Sequence, residues 1–338
     1  MQRLAASSVA IVLALAAALG LLGCGDDGAE PGSPSEALRP VSLILDFVPN
    51  AVHSGIYLAL DRNYDEDAGL KLEVSPPPEP TAGPKLLAAG KVDFAVLDIH
   101  DLVLAREAGI DIVGVGAIVQ RPLGAVIAAD GSAIKRPRDL EGHTVGVSGL
   151  PSDDAVLDYI LESDGADPDA IERVTIGFKS VSLLSAGKLD AATAFWNAEG
   201  VELSEMGLAT REFRVDEASG GITYPELILA TSGETEREQP QLVDDLISAL
   251  ASGYSDLGED PAAALDALLA ANPDLDRDAQ AAQLEALDGA FTTAAGQPLA
   301  LDPAVLADWS SWEAKYGIAS DPPSISEIFP TAGAPQAP

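Results

Sequence analysis

The stretch Leu45-Asp46-Phe47-Val48-Pro49-Asn50-Ala51-Val52-His53-Ser54-Gly55-Ile56-Tyr57 decides the fold. Ahead of it, Val41-Ser42-Leu43-Ile44-Leu45 is apolar enough for a buried strand, and Pro49-Asn50 breaks that strand where a turn is wanted. Beyond Ser54, the apolar residues Ile56, Tyr57, Ala59 and Leu60 recur at helical spacing. A strand, a polar turn and a helix therefore place Asp46, Asn50, His53 and Tyr57 near the carboxyl end of one strand, where open α/β sheets bind their ligands. Each also has a purely structural reading: Asn50 as a helix cap, Tyr57 in the core, His53 as a satisfied surface side chain.

Outward from this stretch, strands and helices alternate. The spacing predicts strands over 71–74, 94–97 and 112–119, helices over 83–89 and 102–108, and a loop at Asp98-Ile99-His100-Asp101. Gln120-Arg121-Pro122 reads as a first crossing into a second lobe with strands over 125–128, 144–147, 174–176 and 191–195. There Ser152 is the expected amino-cap of a helix over 153–162 whose start faces the cleft. Residues 220–225 form the expected return crossing, a strand over 227–230 rejoins the first lobe, and the rest is helical. The fold class is thus α/β with two lobes and two crossover segments. The expected division is 41–121 plus 225–330 for lobe 1, 122–224 for lobe 2 and 331–338 for a tail.

Acidic residues number 54 against 19 basic ones, a net charge of −35 that opposes binding to nucleic acid or anionic lipid. With 338 residues, 47% of them hydrophobic, the chain can bury a core in each of two lobes. Arg3, the apolar run from Leu4 to Leu22 and then Gly23-Cys24 read as a lipoprotein signal peptide over 1–23, with lipobox Leu21-Leu22-Gly23-Cys24. Leu22 departs mildly from that pattern. Residues 24–40, rich in Gly, Asp, Glu, Pro and Ser, read as a tether. Cys24 is the single cysteine, so intrachain disulfides and cysteine-based metal sites are excluded, and lipidation accounts for it.

Four blocks carry a family resemblance. The opening stretch resembles the Leu-Asp-Trp-x-Pro-Asn-x-x-His-x-Gly-x-Tyr motif of the bacterial substrate-binding proteins that collect thiamine pyrimidine precursors for ABC transporters, with Phe47 in place of Trp. Gln120-Arg121-Pro122-Leu123, Gly149-Leu150-Pro151-Ser152-Asp153-Asp154 and Phe195-Trp196-Asn197-Ala198-Glu199-Gly200 fit the same family. The resemblance implies a type II periplasmic-binding-protein-like fold. It also implies an extracytoplasmic, membrane-anchored monomer that binds a formylaminopyrimidine or hydroxymethylpyrimidine type of solute, with an ABC permease and its ATPase as partners. Another heteroaromatic nutrient such as riboflavin is the alternative.

On this reading Asp46, Asn50, His53, Tyr57 and Asp98 contact the ligand from one lobe. Ser152, Trp196 and Glu199 do so from the other, and Tyr224 from the return crossing. Trp196 is the expected stacking platform and Glu199 the partner of the amino-pyrimidine edge. Asp98, His100 and Asp101 have the composition of a metal site or proton relay, but the resemblance makes that loop a cleft wall, and neither metal nor cofactor is expected.

The rival class is an enzyme. Fungal pyrimidine synthases, similar to this family, use a pyridoxal-phosphate lysine after the third strand, a histidine consumed as substrate and a cysteine-rich iron motif. This chain has no lysine between Lys91 and Lys135 and no second cysteine, although His100 lies near the position of the consumed histidine. Hydrolase elbows, zinc-protease motifs and phosphate-binding glycine loops are absent from the sequence. A binding protein is expected. Cys24→Ala should release the protein from membranes or block its processing, as read by fractionation and intact mass; wild-type protein free in the medium with an unmodified amino end would refute the anchor.

Overall fold

A computed structural model of the protein describes residues 37–218, 221–320 and 324–333. The signal peptide, Cys24, most of the tether and residues 334–338 of the tail lie outside them. Among the described residues, no helix is long and apolar enough to cross a membrane.

Among the described residues, ten strands form two five-stranded sheets. The first contains β1 (Arg39–Ile44), β2 (Leu70–Ser75), β3 (Phe94–Asp98), β4 (Ile112–Val119) and β10 (Leu227–Ser232), in the order β2-β1-β3-β10-β4. The second contains β5 (Gly124–Ala129), β6 (Thr144–Val147), β7 (Glu172–Thr175), β8 (Ala191–Phe195) and β9 (Thr210–Arg214), in the order β7-β6-β8-β5-β9. β1 runs parallel to β2 and β3, and β6 parallel to β7 and β8. The strand that follows each crossing is antiparallel to both its neighbours: β5 lies between β8 and β9, and β10 between β3 and β4. β4 is buried along its whole length, as its unbroken apolar sequence requires of a strand covered on both faces.

Two sequence expectations change. Asp98-Ile99-His100-Asp101 is no loop, because the Asp98 side chain accepts the His100 N–H at 2.7 Å and caps a helix that begins at Ile99. Ser152 is not the amino-cap of its helix. Pro151, with its fixed φ, takes the first helical position, so Leu150 becomes the cap and Ser152 lies inside the first turn.

The opening motif is held from behind by the helix Pro240–Glu259. Tyr254 lays its ring against Gly55, where an added Cβ would fall 2.5 Å from the ring, and donates its hydroxyl to the Val52 carbonyl at 2.8 Å. Gly253 faces the same helix, Ser54–Asp61; a Cβ there would overlap the Gly55 carbonyl oxygen and come within 2.7 Å of the Ala59 Cβ. The glycine in the motif is therefore a packing requirement between two helices. Gly253→Ala should force these helices apart and lower stability by about 1–3 kcal/mol in urea unfolding; an unchanged midpoint would show that the crossing is looser than this.

Candidate functional site

The turn at the end of β1 is built by side chains bonding to one another. Asn50 Oδ1 accepts the Val52 N–H at 2.9 Å, and its Nδ2 donates to the Val48 carbonyl at 3.1 Å. His53 Nδ1 accepts the Asn50 N–H at 3.2 Å, which leaves the ring proton on Nε2 to donate to Asp46 Oδ1 at 2.8 Å. Both nitrogens of this fully buried ring are thus used within the turn. His53 orients Asp46 and does not itself line the cavity between the lobes.

Asp46, Asn50, Asp98, Ser152 and Glu199 line one cavity where the two lobes meet. Phe47 and Phe178 touch edge-to-face there, one ring from each lobe, with centroids 4.6 Å apart; Phe195 adds a third ring to the wall. Ser152 Oγ and both polar atoms of the Asn197 side chain are buried without a hydrogen-bond partner. Such groups are costly unless a ligand or water completes them.

Three expected contacts lie elsewhere. Tyr57 sits on the helix Ser54–Asp61 facing the helix Pro261–Ala271, where its hydroxyl bonds the Asn272 side chain. Trp196 begins the wide turn Trp196–Gly200 and points back at the first crossing. Its Nε1–H donates to the Pro122 carbonyl at 3.1 Å, and the Arg214 and Arg121 guanidiniums lie 3.9 and 4.8 Å from its ring centroid. It stacks on arginine and does not line the cavity. Tyr224 is fully buried against His100 at the hinge, with ring centroids 4.9 Å apart, and does not line the cavity.

The sequence reading passed over Asp153 and Glu226, and left Asp101 and Asn197 out of the ligand contacts. Asp153 and Asn197 stand inside recognised blocks, so adjacency to a motif was the available signal. Glu226 had none: it precedes β10 and reaches across to accept the Leu123 N–H at 2.6 Å in the other crossing.

Six carboxyls, Asp46, Asp98, Asp101, Asp153, Glu199 and Glu226, line the cavity, and no Lys, Arg or His does so among the described residues. Burial raises Asp98 and Asp101 well above their ordinary values, and raises Asp153 and Glu226 as well. Burial also raises Glu199 to about 7, against the N–H of Phe195 at 3.0 Å and the hydroxyl of Ser180 at 3.3 Å, which favour its charged form. His100 is the converse: burial alone would lower it, but the charges of Glu313, Asp98 and Glu226 together hold it at about 10.

A carboxyl raised on folding binds its proton more tightly in the native state. Its stabilisation is therefore present below the unfolded value near 4.5 and is lost as pH rises through about 7. Ligand-free protein should melt at a higher temperature at pH 5 than at pH 8, and Glu199→Gln should shrink that difference, as followed by circular dichroism. A pH dependence identical in wild type and Glu199→Gln would contradict the burial of this carboxyl.

The chain matches the family model described as NMT1/THI5 like over residues 50–264. It is 31% identical over 264 residues to the formylaminopyrimidine-binding protein of Halalkalibacterium halodurans, covering 78% of each chain. To the 4-amino-5-hydroxymethyl-2-methylpyrimidine phosphate synthase of Legionella pneumophila it is 27% identical over 236 residues, covering 70% of this chain and 74% of that one. Among solved structures, the alkanesulfonate-binding protein SsuA from Xanthomonas axonopodis pv. citri, bound to MOPS, is similar with a TM-score of 0.64 at 17% identity, over 88% of this chain and 98% of that one, which shows a common periplasmic-binding-protein fold. With the match running from Asn50 of the motif turn through both crossings, the chain belongs to the NMT1/THI5-like family.

Proposed function

We propose that the protein is an extracytoplasmic receptor, tethered through Cys24, that encloses a thiamine pyrimidine precursor of formylaminopyrimidine or hydroxymethylpyrimidine type and hands it to an ABC permease and its ATPase. The observation that carries this reading is the composition of the cavity: six carboxyls, an unpartnered Asn197 amide, phenylalanine rings from both lobes and no base among the described residues. An aminopyrimidine matches it group by group. Its exocyclic N–H donors suit carboxylates, in charge-assisted bonds worth about 1.5–3 kcal/mol each. Its ring nitrogen and amino group together offer the acceptor-and-donor edge that a primary amide reads in a paired contact. Its flat face suits the phenylalanines.

Two rivals fit less well. A sulfonate, as bound by the structural neighbour, would bring its negative charge among carboxyls with no cation opposite. A synthase of the relatives' kind would need a reactive side chain facing the ligand, whereas His53 and His100 are both turned into the protein with ring nitrogens bonded to carboxylates. Sequence relatedness to the binding protein of Halalkalibacterium halodurans supports capture without turnover.

Calorimetry with a formylaminopyrimidine, a hydroxymethylpyrimidine, riboflavin and an alkanesulfonate tests the reading. The pyrimidines should bind, and at 100 times Kd the better one should stabilise the protein by about 2.7 kcal/mol. Phe178→Ala should weaken that binding by about 1–3 kcal/mol, while Trp196→Ala should reduce stability and leave the affinity of the folded protein within a few-fold. Binding of the sulfonate with none to either pyrimidine would overturn the proposal.

A further inference from the structure

We propose that Asp98, His100 and Glu226 form a binding site for one divalent transition-metal cation of the zinc type, at the hinge end of the cavity. One ligand atom from each residue lies within 4.8 Å of the other two. The three are fixed by backbone structure: Asp98 ends β3 and pairs in register with Leu227 of β10, which brings Glu226 alongside, and the Ile99 N–H donates to the Glu226 carbonyl at 2.9 Å. Sites held by strand pairing have little freedom to collapse.

Each carboxylate is already anchored by backbone, Asp98 Oδ1 by the His100 N–H at 2.7 Å and Glu226 by the Leu123 N–H at 2.6 Å and by the Gly124 N–H. The two carboxyls also lie within hydrogen-bonding reach of each other. Two such groups in contact require a cation or a shared proton between them; no Lys or Arg lines the cavity among the described residues, and in the metal-free protein the ring of His100 is the positive charge beside them. The independent sign of a cation is His100. Its Nδ1 is bonded to the carboxylate of Glu313, on the helix Pro303–Tyr316, while its Nε2 is buried and has no partner. A carboxylate that holds the proton of one imidazole nitrogen fixes the direction of the other, the arrangement by which proteins orient a metal-binding histidine, and a divalent cation would bind here by displacing the Nε2 proton.

The donor set selects the ion. One imidazole nitrogen with two carboxylate oxygens suits Zn²⁺ and its neighbours better than Mg²⁺ or Ca²⁺, which prefer oxygen alone. Ligand atoms on a tetrahedral ion lie about 3.4 Å apart at bond lengths of about 2.0–2.2 Å, so the trio, now within 4.8 Å, would close by up to about 1.4 Å through side-chain rotation. Asp98 and Glu226 also line the cavity, which leaves the remaining coordination position open to water or to the solute. In the sequence Asp101 appeared as the third partner of this group; instead it turns across the cleft to accept the Ser152 N–H at 3.4 Å.

The test uses the full chain, purified without a polyhistidine tag and stripped with EDTA, titrated with Zn²⁺ against a chromophoric chelator in the absence of any pyrimidine. It therefore succeeds or fails independently of the solute assignment. One equivalent should bind. Asp98→Asn and Glu226→Gln should each weaken binding at least 10-fold, and Glu313→Gln, which removes the orienting carboxylate, by about 10- to 100-fold. His143→Ala, at the surface pair with Asp190, should change nothing. Because the acid-to-amide changes are nearly isosteric, circular dichroism melts should confirm folding, and Co²⁺ in place of Zn²⁺ should give visible absorption bands that Glu226→Gln alters. No binding would mean that the two carboxyls share a proton only. Binding unaffected by Asp98→Asn and Glu226→Gln would mean an adventitious ion only. Either result would overturn the site.

Discussion

The strand Leu227–Ser232 enters the first sheet between β3 and β4, antiparallel to both, and is buried through Thr231. Its backbone hydrogen bonds on both sides join β4 to the rest of that sheet, so the first lobe is incomplete until the chain has passed through the second. β5 holds the same position in the second sheet, between β8 and β9. Because the inserted strand in each sheet is the one that follows a crossing, the two crossings run beside each other, and Glu226 of one holds the Leu123 N–H of the other. The cavity is the space this arrangement leaves at the strand ends. Its carboxyls are carried on strand termini and helix first turns, and this rigidity keeps them from escaping to solvent.

That confinement has an electrostatic consequence. A surface carboxylate is solvated at almost no cost, whereas a buried one must find donors, take up a proton or meet a cation. Asp153 finds donors in the Ser148 N–H and the Thr193 hydroxyl, and Glu199 in Phe195 and Ser180. Asp98 and Glu226 face each other, anchored only by backbone N–H groups, of His100 for the one and of Leu123 and Gly124 for the other. The ligand that relieves such a wall brings N–H groups or positive charge, and an anion increases the repulsion. The alkanesulfonate-binding protein from Xanthomonas axonopodis shares this fold, so the fold alone does not set the solute.

The aromatic residues divide along the same logic. A tryptophan carries an N–H that needs an acceptor when buried, and Trp196 finds the Pro122 carbonyl at the hinge, with two guanidiniums over its ring. Tyr224 and Trp312 pack with His100 behind the cavity, and Trp312 also meets Tyr159 on the second lobe's helix Pro151–Ser163, so the carboxy-terminal helix touches both sides of the hinge. Phenylalanine has no polar atom to satisfy. Phe47, Phe178 and Phe195 can therefore form a wall that offers a ligand only a ring face while the carboxyls beside them offer only acceptors.

The sequence by itself determined what depends on local chemistry. Apolar runs broken by Pro-Asn, glycine and capping residues gave the alternation of strands and helices, β6, β8 and the helix Pro303–Tyr316 among them, because backbone preference and burial period act over a few residues. The motif blocks marked the turn at Asp46 and Asn50 and the cavity positions Ser152 and Glu199, and the end of a predicted strand marked Asp98. Side-chain direction was decided by the tertiary structure. His53, Tyr57, Trp196 and Tyr224 stand at or beside the expected positions but point into the protein, since each found a partner from a distant segment or from its own turn: Asp46, Asn272, Pro122 and the His100 ring. Glu226 joins Asp98 only because β10 pairs with β3, a register that no local pattern encodes.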